Sequence, residues 1–68
     1  MQQLTDEQFV RALQLSTIST KKGWQFSTEI RIASIIAKAP NKEEVISKIE
    51  KLINTDNEQD FLDKINNL

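Results

Sequence analysis

The chain contains neither cysteine nor histidine nor tyrosine, and it has one glycine (Gly23), one proline (Pro40) and one tryptophan (Trp24) among 68 residues. Each shortage removes a class of function. Without Cys or His there is no disulfide, no zinc site of the usual kinds and no haem ligation. The commonest general base is also missing, and with it the usual partner of a nucleophilic serine. One glycine cannot form a Gly-rich phosphate cradle, and Lys22-Gly23 is not followed by the residues that a Walker motif requires. No run of about 18 apolar residues is present, so no membrane span is expected. The stretch Met1 to Glu7 is acidic and lacks the basic-then-apolar order of a secretory signal. These absences, together with the lack of Cys, predict a soluble cytoplasmic protein. The abundance of Ile, Lys and Asn fits an AT-rich coding sequence of bacterial or phage type.

Two patterns resemble chemistry and fall short of it. Ser19-Thr20-Lys21-Lys22 contains a Ser-x-x-Lys spacing, and Ser34 and Lys38 share a helix face, but 68 residues cannot enclose the large pocket that would bury such a lysine. The acids Asp56, Glu58, Asp60 and Asp63 cluster without the central Gly and terminal bidentate Glu of a calcium loop, and acids in a first helical turn complement the helix dipole. The expectation is therefore a protein with no enzymatic activity, no cofactor, no metal and no small-molecule substrate.

What is present is helical patterning within one domain, residues 1–68. Thr5-Asp6-Glu7-Gln8 carries a capping box, and Phe9, Val10, Ala12 and Leu13 follow as an apolar stripe. Ser16 to Thr20 are poor helix formers, which predicts that the first helix ends near Leu15. A second helix is predicted from about Thr28, with Ser27 or Thr28 as cap and Ile32, Ile35, Ile36 and Ala39 as its inner face, stopped by Pro40. Asn41-Lys42-Glu43-Glu44 opens a third with Val45, Ile46, Ile49, Leu52 and Ile53 inside. Thr55 or Asp56 caps a fourth, with Phe61, Leu62, Ile65 and Leu68 on one face. The fold class is mainly α, a compact bundle of four short helices with a long loop over residues 16–26 between the first two. An alternative is α+β, because Trp24, Phe26, Thr28, Ile30 and Ile32 alternate with polar residues and Thr20 to Gly23 can close a hairpin.

So short a chain buries only about 60% of its unfolded surface, which makes a partner or self-association plausible. The charge is −1 overall but uneven: residues 8 to 42 carry six basic side chains and one acid, and the last 26 residues carry seven acids and three lysines. Residues 16–26 hold the only Gly, the only Trp and the Lys21-Lys22 pair, so Lys21, Lys22, Trp24 and Phe26, flanked by Arg31, form the candidate contact surface. The expected function is a small non-enzymatic protein-protein interaction or regulatory module, with a protein partner or a second copy of itself. Nucleic-acid binding is the alternative, with lysines on phosphates and Trp24 stacked on a base. The negative net charge and the acids of the third helix weigh against it.

Overall fold

The computed structural model of the protein describes residues 3–68; Met1 and Gln2, part of the acidic N-terminal stretch, lie outside them. Four helices follow one another: α1 (Asp6–Lys21), α2 (Phe26–Lys38), α3 (Lys42–Leu52) and α4 (Glu58–Ile65). No strand occurs among the described residues.

The capping box opens α1 as predicted, with the Gln8 amide donating to Thr5 Oγ1 at 3.1 Å and the Thr5 amide donating to Gln8 Oε1 at 3.1 Å. The predicted end near Leu15 is wrong, and residues 16–26 are neither a long loop nor a hairpin. Helix α1 continues for six residues more, to Lys21. The hydroxyls expected to compete with the helix are absorbed by it. Thr17 Oγ1 donates to the Leu13 carbonyl at 3.1 Å, and Thr20 Oγ1 donates to the Ser16 carbonyl at 3.0 Å. Burial of Leu15 and Ser19 supplies the tertiary packing that overrides weak propensity. The alternating pattern that suggests a hairpin is coincidental: Ile30 and Ile32 would share a strand face, whereas the helix buries Ile32 and exposes Ile30.

Gly23 adopts a positive φ (+76°), in a helix terminus and not in the hairpin turn that Thr20 to Gly23 could close. Its amide donates to the Thr20 carbonyl at 3.0 Å and that of Trp24 to the Ser19 carbonyl at 3.2 Å, the paired bonds of a Schellman motif. The turn leaves room for α2 to start at Phe26, two residues before the predicted Thr28. Its N-cap is Gln25, not Ser27 or Thr28, and Gln25 makes no side-chain capping bond. The closing charge comes from α4 instead, where Glu58 Oε2 accepts from the Gln25 amide at 2.9 Å and from the buried Thr28 hydroxyl. At the other end, Lys42 Nζ donates to the carbonyls of Ile36, Ala37 and Ala39 at 3.0, 2.8 and 3.1 Å. Side chains from later helices thus bond both ends of α2, Glu58 at its first turn and Lys42 at its last.

Asn41 caps α3 as predicted, by accepting from the Glu44 amide at 3.1 Å. The cap of α4 is Asn57, whose Oδ1 accepts from the Asp60 amide at 2.8 Å, and not Thr55 or Asp56. Thr55 Oγ1 accepts from Asn57 N at 3.4 Å and sets the approach to that cap.

The core is Leu15, Ile32, Ile36, Ile46, Ile49, Ile53, Phe61 and Ile65, with Trp24, Ile35, Val45, Leu52 and Leu62 packed around it. The predicted faces of α2 and α3 meet there, as does that of α4 through Phe61, Leu62 and Ile65; Leu68, predicted on the same face, lies beyond the end of α4 and is exposed. The predicted face of α1 does not meet them. Its inner side runs through Ala12, Leu15 and Ser19, so Phe9, Val10 and Leu13 are left more than half exposed. Extending α1 to Lys21 moves its buried stripe toward the C-terminal half, where the other helices reach it.

Candidate functional surface

The residues singled out in the sequence are divided by the fold. Trp24 packs its ring on Phe61, with centroids 5.0 Å apart and planes 33° from parallel. Lys22 lies over the Trp24 ring, its Nζ 5.4 Å from the ring centroid, donates to the Thr55 carbonyl at 3.2 Å and lies 3.8 Å from Asp56 Oδ1. Together they fasten the α1–α2 turn to the α3–α4 turn. Lys21 is exposed on the last turn of α1. Phe26 is 72% exposed at the first turn of α2, and Arg31 donates from Nε to Asn66 Oδ1 at 2.8 Å on the opposite side of that helix from Phe26. Ile18, on α1, is exposed.

The uneven charge of the sequence is largely consumed within the molecule. Arg11 on α1 donates from Nε and Nη2 to the two oxygens of Glu50 at 3.1 and 2.7 Å, from Nη1 to Glu43, and from Nη2 to Ser47 Oγ at 3.2 Å. Gln8 Nε2 adds a bond to the other oxygen of Glu43 at 3.3 Å. These bonds hold both carboxyls below the ordinary carboxylate range, and the two carboxylates in turn push the Arg11 guanidinium upward. Lys22 and Lys42 serve backbone carbonyls. Among the clustered acids, Glu58 closes α2, Asp60 pairs with Lys64 at 3.1 Å, and Asp63 accepts from Gln59 at 3.0 Å.

Sequence reading misses the apolar surface that runs along α1 and α2. Between the two helices lies a groove of about 180 Å³. Its floor is made of small side chains, Ala12 and Ser16 from α1 and Ala33 and Ala37 from α2, over the buried Ile32 and Ile36. Phe9 and Leu13 form one wall, and Leu4 closes the end. On α2, Phe26, Ile30, Ala33 and Ala37 recur at helical spacing, and all are exposed. The signal for this surface is present in the sequence: two apolar stripes on one helix cannot both face one core, and α2 carries Ile32 and Ile36 on one side and Phe26, Ile30, Ala33 and Ala37 beside it.

Phe9, Val10, Leu13 and Ile30 are each more than half exposed, and with Phe26 they present on the order of 500 Å² of apolar surface in total on α1 and α2. Among the described residues, Ser16 supplies the only polar side chain in the groove. Sites that orient small molecules place several convergent polar groups in an apolar pocket. Compared with known proteins, the chain matches no family model, no curated protein and no solved structure.

Proposed function

We propose that the protein is a small, non-enzymatic interaction module that docks through the α1–α2 face, burying Phe9, Leu13, Phe26 and Ile30 against an apolar helical surface of a protein partner. The observation that carries this reading is the exposed apolar stripe beside a groove floored by alanines, a shape into which the side chains of a facing helix fit. Phe26 belongs to this surface, and Lys21 stands at its edge. Trp24 and Lys22 support it from behind by holding the turn that sets the spacing of the two helices. The engagement of Arg11, Lys22 and Lys42 in internal bonds supports a protein partner over a nucleic acid, which would need them for phosphates.

The test is site-specific photo-crosslinking in the native cell, with a benzoylphenylalanine at position 13 or 30 and a control at the exposed Lys51. Adducts are expected from positions 13 and 30 and not from 51, and Leu13→Glu should abolish the adduct formed from position 30. Equal labelling at all three positions, or none, removes the reading.

A further inference from the structure

The charges on α1 identify what covers this face. Asp6, Val10, Leu13, Thr17 and Lys21 stand at i, i+4, i+7, i+11 and i+15, so they share one side of the helix, and all five are exposed. The order along that side is acid, apolar, base. Among the described residues neither Asp6 nor Lys21 has an ion-pair partner. The other helices also begin with acids and end with bases, as the helix dipole favours. Helices α3 and α4 use charges of this kind within the molecule. Glu43 and Glu50 bind Arg11, Glu44 pairs with Lys48, Asp60 pairs with Lys64, and Glu58 closes α2. In α2, Glu29 and Lys38 also have no ion-pair partner among the described residues, but their spacing puts them on opposite sides of the helix, so among the described helices only α1 carries unpaired opposite charges at its two ends on the same side as an exposed apolar centre.

Such an order is complementary to itself when reversed. Placed antiparallel to a second α1 and centred between Leu13 and Gln14, the helix sets Asp6 opposite Lys21 of the other copy, Val10 opposite Thr17, and Leu13 beside its counterpart. The charged ends lie about 22 Å apart along the axis, so both pairs form at once. A two-fold axis perpendicular to α1 brings both α2 helices to the same side of the α1 pair, and Phe9 and Ile30 of each copy border one shared seam. A standard interface covers about 800 Å² per partner, and the exposed apolar side chains supply its centre. We propose that the partner seated on the α1–α2 face is a second copy of this chain, joined by antiparallel α1 helices with Asp6 of each copy opposite Lys21 of the other. This rests on the docking role of the face proposed above.

The test is sedimentation of the purified full chain over a concentration series, with circular dichroism to confirm folding. The chain is expected to form a dimer, and Asp6→Lys and Lys21→Glu should each weaken it about tenfold, because each puts like charges opposite one another at both ends. An equimolar mixture of the two variants should restore association. In the mixed dimer the introduced lysine of one copy meets the introduced glutamate of the other, and at the far end an unaltered Lys21 meets an unaltered Asp6. A folded chain that sediments as a monomer up to about 1 mM overturns the proposal, as does a dimer indifferent to these changes or a mixture that fails to recover. A monomer that still yields crosslinks to another protein from positions 13 and 30 would overturn the self-association alone and leave the docking role standing.

Discussion

Two single positions carry strain of opposite kinds. The Ser19 hydroxyl is fully buried and has no bond partner among the described residues. A buried polar group without a partner costs more than the same volume of hydrocarbon, and alanine is also the better helix former. Ser19→Ala is therefore expected to raise stability by about 1 kcal/mol, read as a melting temperature roughly 4–8 °C higher. Gly23 is the reverse case. A Cβ there would meet nothing within 4 Å, so the cost of Gly23→Ala is purely the left-handed backbone, about 1–2 kcal/mol of lost stability in urea unfolding. Trp24 belongs to this scale too. Its contact with Phe61, which is itself wholly buried, makes it part of the packing, and its exposed neighbour Phe26 is the freer aromatic.

At the level of the helices, the sequence shows where they start better than where they stop. Three of the four starts are marked by side chains that bond their own first turn, at Thr5, Asn41 and Asn57, and the first two can be read directly. Asn57 is hidden because Thr55 and Asp56 beside it are equally good caps by type. The start of α2 is not readable, since its closing carboxylate, Glu58, lies 33 residues away from Gln25. The end of α1 is obscured for a related reason: Ser16 to Thr20 are helical because Leu15 and Ser19 are packed by other elements. The apolar residues of α3 and α4 can be assigned because each helix has a single stripe. Those of α1 cannot; in α2 the inner Ile32, Ile35 and Ile36 can, while Phe26 and Ile30 beside them stay exposed, and the exposed excess on the two helices forms the candidate site. Glu58→Ala would remove the closure of α2 and strand the buried Thr28 hydroxyl, with an expected loss of about 1–3 kcal/mol and faster amide exchange in the first turn of α2.

Across the whole molecule, Arg11 joins the first helix to the third through Glu43 and Glu50. Because both carboxyls are held below their ordinary value of 4.5, the unfolded chain binds more protons than the folded one in moderate acid. Their contribution is complete above that value and is lost as the pH falls through their lower folded values. Arg11→Met is expected to flatten the acid limb of a stability curve measured between about pH 5 and pH 3, where the parent loses stability more steeply. The closure of α2 at both ends by Lys42 and Glu58 has another outcome, in the order of events during synthesis. A growing chain that has reached only Pro40 holds two helices' worth of sequence but neither of the groups that finish the second. Residues 1–40 made as a separate peptide should accordingly show little helical circular dichroism, and adding residues 41–68 in trans should recover it. On that expectation, newly made protein should stay open to proteases and chaperones until the residues of α4 have been added.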